Sequence, residues 1–217
     1  MTYTRSTTDM VIVSDDEIRS ILAIYGFDAS ESQCQAIRAY VSLLLRWNQT
    51  ISLTAVTGID EILRFHFGEG LFALQHIPIE NGRLADVGSG AGFPGLALKI
   101  GRPLLRLTLL EPNQKKATFL REITRELHLK DVDVLRSQFE QLSPEVGEFE
   151  HITARALGSH ETFVHFADSR LVKSGKLVLW IGEADAEAIS SIHTLQWRDP
   201  ILIPGSKRRF LLLGAKK

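Results

Sequence analysis

The chain has very little cysteine and no long apolar run. Its 217 residues include one cysteine, Cys34, which excludes a disulfide within the chain and leads us to expect the reducing cytoplasm. No apolar stretch approaches the roughly 20 residues that a membrane helix needs, and residues 1–13 lack the basic-then-apolar layout of a secretion signal. We therefore expect no contact with a membrane, and we expect residues 1–13 to be a ragged, partly disordered lead-in.

An excess of positive charge is also absent. The 25 lysines and arginines are balanced by 26 acidic residues, which gives a net charge of -1. Proteins that hold nucleic acid through bulk electrostatics are usually more basic. Composition therefore gives no support for a nucleic-acid partner, and any contact with RNA must depend on local clusters of charge.

What the chain does contain falls into two parts. Helical spacing of apolar residues predicts three helices within residues 14–78, the first opened by a capping box at Ser14 and the second beginning near Ser30. We interpret this segment as an N-terminal helical extension. It is expected to pack on a second part, residues 79–217, that contains a sheet and binds the ligand.

The second part alternates strands with helices. Apolar runs of strand length lie at 83–87, 105–110, 132–136, 150–154, 176–181, 195–203 and 208–214. Helical patterns separate the first five runs, which predicts βαβ crossovers and a mostly parallel sheet. The last two are joined only by Pro204–Lys207, so they must form an antiparallel hairpin. This is the layout of the α/β, Rossmann-like, seven-stranded methyltransferase fold that uses S-adenosylmethionine (AdoMet).

The turn after the first strand is rich in glycine. An acid, Asp86, is followed by glycines at 88, 90, 92 and 95. A dinucleotide fingerprint would place its third glycine at position 93, which here is Phe93. AdoMet has no pyrophosphate, and it needs close backbone approach, from Gly88 and Gly90, and an acid near its cationic end, from Asp86. The spacing favours AdoMet, and the alternative is a loop built only for a tight turn.

A second acid stands at the matching point of the next strand. Glu111 follows the second strand, 23 residues after Gly88, where a carboxylate can accept both ribose hydroxyls of a nucleoside. Taken alone, such an acid is equally well explained as a solvated loop residue. With the glycine loop in register, we predict that Glu111 binds the ribose of AdoMet.

Several motifs together resemble one family, the bacterial 16S ribosomal RNA guanine-N7 methyltransferases called RsmG or GidB. The resemblance covers most of the chain. It is carried by Leu44–Asn48, Ser52–Val56, Asp86–Gly95, Lys115–Arg121, Ser137–Glu140 and Thr153–Ala156. The glycine loop that ends in Phe-Pro-Gly is more particular to this family than to methyltransferases at large.

The resemblance implies a set of cofactor contacts. By position, AdoMet would be bound at Gly88 and Phe93, at the pair Phe139 and Glu140, and at Arg155. Phe139 would lie beside the adenine face. The alternative for Phe139 is ordinary core packing, and the alternative for Arg155 is a structural ion pair.

The chain departs from the family on the substrate side. Family members usually carry Arg-His-x-x-Asp-Ser in the third helix, where this chain keeps His66 but has Phe65, Glu69 and Gly70. Ile181 stands where the family has a lysine before a glycine. His66 is a candidate RNA contact, and the alternative is a histidine packed against the sheet.

Two clusters of positive charge are candidates for holding RNA. The first lies on one predicted helix and contains Lys115, Lys116, Arg121 and Arg125. Because Glu122 and Glu126 interleave with it, we favour a solvated helix face. The second cluster lies at the hairpin and contains Lys207, Arg208 and Arg209, for which solvated surface and phosphate contact both stay open.

The chemistry implied by the resemblance needs no general base. N7 of guanine has a free lone pair at neutral pH, so holding it in line with the methyl–sulfur bond is sufficient. We therefore assign no catalytic base, and no metal site is predicted. The expected cofactor is AdoMet, the expected partner is 16S ribosomal RNA or the small-subunit particle, and a monomer is expected. Two alternatives stay open: a paralogous AdoMet-dependent enzyme with another RNA or small-molecule substrate, and an AdoMet- or RNA-binding module without transfer activity.

Overall fold

The computed structural model describes residues 13–155, 158 and 160–217, so the prediction for the lead-in falls almost entirely outside the described residues. The α-helices are α1 (Asp15–Ala23), α2 (Glu31–Asn48), α3 (Ile59–Ile62), α4 (Glu69–Phe72), α5 (Gly95–Gly101), α6 (Gln114–Glu126), α7 (His160–Arg170) and α8 (Glu183–Ser190). The strands are β1 (Gly82–Val87), β2 (Leu105–Leu110), β3 (Val132–Leu135), β4 (Phe149–Arg155), β5 (Leu171–Gly182), β6 (Gln196–Trp197), β7 (Ile201–Leu202) and β8 (Arg209–Ala215).

Local signals fix the helix starts. The capping box predicted at Ser14 is present: its hydroxyl accepts from the backbone N–H of Glu17, whose side chain accepts from the backbone N–H of Ser14. Ser30 caps α2 in the same way. The third helical region was predicted as one helix, and it runs from α3 into α4 through a π-helical segment, Leu63–Gly68, which the periodicity of the sequence did not indicate.

The sheet confirms the predicted mixed architecture. In the described part of the chain the order is β3-β2-β1-β4-β5-β8-β6, with β7 also paired to β8. Strands β1 to β5 pair in parallel, and β8 pairs antiparallel with β5, β6 and β7. The order in which successive strands are added to the sheet reverses between β1 and β4, and open α/β sheets bind ligands at the carboxyl ends of the strands at such a point.

The predicted sixth strand is split in two. The run 195–203 forms β6 and β7, separated by Arg198, Asp199 and Pro200. Proline has no backbone N–H to donate to a ladder, so pairing with β8 is interrupted there. The seven-stranded layout is therefore retained, with its sixth position occupied by two short strands.

Helices cover both faces of the sheet. One apolar core joins α1 to α6 with one face, and it includes the buried rings of Tyr40, Phe67 and Phe119. A second core joins α7 and α8 with the opposite face through Phe163 and Ile189. Among the described helices, none is both long enough and apolar enough to cross a membrane.

Candidate active site

The glycine loop connects β1 to α5 at the carboxyl edge of the sheet. Gly88, Gly90 and Gly92 have φ angles of 69°, 55° and 93°, the left-handed region that glycine adopts without strain. The N–H of Gly88 donates to the carbonyl of Leu110 at 2.9 Å, which ties the loop to the end of β2. Gly88 is exposed, so its backbone faces solvent at this edge.

Asp86 lies beneath the loop and holds it from inside. Its side chain has no exposed area, and its carboxylate accepts from the Thr153 hydroxyl at 2.8 Å and from the Gly95 N–H at 3.2 Å. Burial raises the pKa of Asp86 to about 6. A Cβ atom at Gly95 would lie 2.7 Å from the Cβ of Asp86, so the glycine is required for this close approach. The structure thus places Asp86 as an anchor for the loop and for the start of α5.

Glu111 joins the loop from the end of β2. One carboxylate oxygen accepts from the Gly90 N–H at 2.8 Å, and the other accepts from the Asn113 N–H at 2.8 Å. The side chain is buried, and it lies at the edge where Gly88 is exposed. The structure therefore brings the two sequence-predicted acids to the same loop, one below it and one beside it.

Three further predicted cofactor residues, Phe139, Glu140 and Arg155, follow or end strands of the sheet and differ in how exposed they are. Phe139, just after β3, is half-buried, and its ring centroid lies 5.4 Å from Phe163 and 5.1 Å from Phe166. Its neighbour Glu140 is exposed. Arg155 is the last residue of β4 and is half-buried.

Phe93 packs against the helical extension. Its ring stacks between Tyr40, with centroids 5.0 Å apart, and His66, with centroids 4.7 Å apart, and it is nearly fully buried. The Tyr40 hydroxyl also donates to the carbonyl of Ala91 at 2.6 Å. The extension therefore holds the glycine loop in place through an aromatic stack, which a reading of loop spacing alone does not reveal.

His66 belongs to a chain of hydrogen bonds that fixes its protonation. Arg155 has only donors, so its contact of 3.0 Å with Nδ1 makes that nitrogen an acceptor. The Nε2–H of His66 then donates to the Thr54 hydroxyl at 2.9 Å. Burial, followed by the charge of Arg155, lowers the pKa of His66 to about 3. Arg155 also donates to the carbonyl of Phe65 at 2.8 Å, so it links β4 to the π-helical segment.

A cavity of about 400 Å³ opens at the carboxyl ends of β4 and β5. One wall comes from the helical extension and β8, and it includes Phe65, His66, Glu69 and Arg209. The opposite wall comes from α7 and α8. Three of the four positions where the chain departs from the family pattern, Phe65, Glu69 and Ile181, thus meet in one place, although Ile181 is more than 100 residues away in sequence. The fourth, Gly70, packs against α5, where a Cβ atom would lie 3.3 Å from that of Ala97.

Arg209 ties the extension to the last strand. Its Nε donates to the Glu69 carboxylate at 2.7 Å, and its guanidinium lies 4.7 Å from the centre of the Phe65 ring. Glu69 is 2% exposed, and burial raises the pKa of its carboxyl. Trp180 donates its indole N–H to the carbonyl of Glu69 at 2.7 Å. No local pattern in the sequence indicates this arrangement, because Glu69 and Arg209 are separated by 140 positions.

The remaining candidate RNA contacts are exposed. Lys207 and Arg208 lie in the connection between β7 and β8, next to Arg209. On α6, Arg125 pairs with Glu122 at 2.9 Å and with Glu126 at 3.7 Å. Within the described part of the chain, no group of three histidine, cysteine or acidic side chains is placed to hold a metal ion.

Comparison with solved structures defines the class of the fold. A SAM-dependent methyltransferase from Aquifex aeolicus superposes with a TM-score of 0.60 at 14% identity, covering 72% of this chain and 93% of that one. A ribosomal protein L11 methylase from Lactobacillus delbrueckii subsp. bulgaricus gives a TM-score of 0.58 at 16% identity, covering 71% and 80%. The fold is that of the AdoMet-dependent methyltransferases.

Sequence comparison identifies the family within that class. The GidB family model, described as rRNA small subunit methyltransferase G, matches residues 33–196. Two proteins named ribosomal RNA small subunit methyltransferase G are similar to the chain. The one from Chromobacterium violaceum is 34% identical, covering 87% of this chain and 91% of the relative, and the one from Xylella fastidiosa is 39% identical, covering 77% and 79%. The chain belongs to this family, and the resemblance seen in its motifs is confirmed.

Proposed function

We propose that this protein transfers the methyl group of AdoMet to N7 of a guanosine in small-subunit ribosomal RNA. One observation carries the proposal. The glycine loop, with an acid on either side of it, opens at the same edge of the sheet as a cavity walled by aromatic and charged residues. Membership of the family agrees with this function.

The residues at the loop fit the cofactor. The backbone of Gly88 and Gly90 takes left-handed φ angles that admit close approach of the methionine part, and a Cβ built at Gly90 meets only the Gly88 carbonyl, at 3.8 Å. Glu111 can accept hydrogen bonds from the ribose hydroxyls, because each of its oxygens accepts one backbone N–H and keeps a further lone pair. Phe139 offers an apolar face for adenine, and Arg155 lines the cavity at the end of β4, the strand beside β1. When bound, AdoMet supplies an electrophilic methyl group on sulfur.

The chain contributes orientation to the reaction. The N7 lone pair would form the new bond to the methyl carbon while the methyl–sulfur bond breaks and its electron pair goes to sulfur, and no proton has to be removed from N7. His66 agrees with this, since both its ring nitrogens are engaged and its pKa of about 3 makes it a very weak base. Fixing the base in line with the methyl–sulfur bond is then the main contribution of the protein.

The RNA backbone is proposed to lie along the exposed hairpin. Lys207 and Arg208 are free of the ion pair that engages Arg209, and they lie next to the residue that lines the cavity. Phosphate groups held there would bring one base towards the cavity. We also propose that residues 14–78 and 79–217 work as one unit, because the extension supplies one wall of that cavity.

Labelled methyl transfer tests the proposal. The protein is incubated with labelled AdoMet and either small subunits or naked 16S RNA from a strain that lacks the gene, and N7-methylguanosine is mapped by reductive cleavage. Transfer to a single guanosine is the expected result. Calorimetric binding of AdoMet without transfer to any ribosomal RNA would instead favour a paralogue with another substrate, an alternative that the changed wall residues Phe65, Glu69 and Ile181 keep open. Absence of AdoMet binding would leave only a binding module.

A further inference from the structure

The cavity has two walls that suit a flat base. The apolar side chains of Phe65 on one side and Phe163 and Val164 on the other face the same space. A volume of about 400 Å³ lies within the range of pockets that enclose small organic groups. The cavity begins at Ala154 and Arg155, the end of β4, which is the strand next to the glycine loop of β1.

Two carboxyl groups line this cavity, and they differ in availability. Glu69 is 2% exposed and is already paired with Arg209 at 2.7 Å. The side chain of Asp185, in the first turn of α8, is 48% exposed. Its Oδ1 lies 3.2 Å from Nε2 of His160, and Oδ2 has no hydrogen-bond partner among the described residues. Asp185 is therefore the carboxylate that can accept hydrogen bonds from a ligand without breaking a buried ion pair.

The order of the strands shows which end of the cavity lies nearer the glycine loop and which end lies nearer α8. From β1 the sheet continues to β4, which ends at Arg155, and then to β5, which ends at Gly182 immediately before α8. A guanine whose N7 faces the cofactor at β1 presents its opposite edge towards α8. That edge carries N1–H and the N2 amino group, two adjacent donors that a carboxylate accepts together.

We propose that the cavity encloses the target guanine and that Asp185 recognises its N1–H and N2 amino group, with His160 orienting the carboxylate. This inference rests on the proposed function and adds the residue that selects the base. Adenine is disfavoured at the same place, because its N1 is an acceptor and would face the carboxylate with a lone pair. Phe65 and Phe163 supply the apolar walls, and Asp185 supplies the selectivity.

Inosine tests the proposal, because it retains N7 and N1–H but lacks the 2-amino group. After the target guanosine has been mapped with the wild-type protein, two ligated RNAs carry guanosine or inosine at that position. kcat/KM for methyl transfer is measured with wild type, Asp185→Asn and Glu69→Gln. Glu187→Gln, an exposed acid elsewhere on α8, is the control for charge. Circular dichroism and AdoMet calorimetry establish that each variant is folded and binds the cofactor.

We expect the wild type to prefer guanosine over inosine by on the order of 10-fold or more. Asp185→Asn should lose on the order of 10- to 100-fold on guanosine RNA and should react with both RNAs at similar rates, because the carboxamide keeps one acceptor oxygen and replaces the other by an NH2 group, which is a donor facing a donor. Glu187→Gln should match the wild type, and Glu69→Gln should keep the preference for guanosine. The proposal is overturned if Asp185→Asn keeps the wild-type preference, or if Glu69→Gln alone abolishes it. If the wild type methylates no ribosomal RNA, the proposed function itself fails and this inference falls with it.

Discussion

Because His66 is neutral in the folded protein, the free energy of unfolding should fall at acidic pH, and substitution of this one residue should remove that effect. In the folded protein the pKa of this histidine is lowered from 6.5 to about 3, chiefly by burial and then by Arg155. The unfolded chain therefore binds the proton more tightly than the folded one between these two values. Stability is fully present above a pH of about 6.5 and is lost as the pH falls towards about 3.

The size of the effect follows from that shift. When the pH falls from about 7 to about 5, a histidine that stays neutral only in the folded state lowers the free energy of unfolding by about 2 kcal/mol. Asp86 acts in the opposite direction, because its folded pKa is raised to about 6 and the folded state takes up its proton first. Its contribution over the same interval is a gain of about 1 kcal/mol, so His66 and Asp86 together should give a modest net loss.

His66→Asn separates the two contributions. Asparagine keeps an acceptor for Arg155 but does not titrate, so the variant should lose no stability between about pH 7 and pH 5 from this site. At neutral pH it should be less stable by about 1 kcal/mol, since the ring that stacks on Phe93 is gone. Urea unfolding at a series of pH values measures both effects.

A matched control is available in His165. Its side chain is 59% exposed on α7, so His165→Asn measures what replacing an exposed histidine by asparagine does to unfolding at each pH. Parallel stability curves for the wild type and His66→Asn would refute the argument, because they would mean that His66 is protonated in the folded protein as readily as in the unfolded chain.

Three further predictions concern the cofactor loop and the hairpin. Asp86→Ala removes the acceptor for Thr153 and Gly95 and should abolish AdoMet binding in calorimetry, and wild-type affinity would contradict the role given to this acid. Gly95→Ala brings a Cβ atom to 2.7 Å from Asp86, so it should lower the melting temperature and weaken AdoMet binding. Unchanged values would show that the loop can shift to accommodate the added methyl group. Replacing Lys207 and Arg208 together by glutamine should make the affinity for RNA less dependent on salt, reducing the magnitude of the slope of log affinity against log salt concentration by about 1 to 2. An unchanged slope would mean that neither residue contacts phosphate.

The sheet was largely predictable from the sequence because each strand carries its own apolar run. The predicted boundaries of β1, β2 and β4 differ from the observed ones by at most one residue. β5 begins earlier than predicted, at Leu171, where the pairing with β4 shifts register after Phe149. Such a shift depends on the partner strand, and the sequence of β5 alone does not contain it.

The acids of the loop were also predictable, but their surroundings were not. A fixed spacing from the glycines locates Asp86 and Glu111. That Asp86 is fully buried and bound by Thr153 depends on the pairing of β1 with β4, a contact over 67 positions. Whether Asp86 and Glu111 bind AdoMet as expected stays a prediction that calorimetry can decide.

On the substrate side, two positions that depart from the family pattern both contact Arg209. Phe65 stands where the resemblance leads us to expect arginine, so this position contributes no positive charge to the cavity wall. Arg209 comes from β8 to lie over that phenyl ring and to pair with Glu69, the acid that is one methylene longer than the family's aspartate. A guanidinium is therefore present at this wall although it comes from another element, and the lengthened acid meets it. Phe65, Glu69 and Arg209 therefore form one set of contacts, and single substitutions within it should not have additive effects.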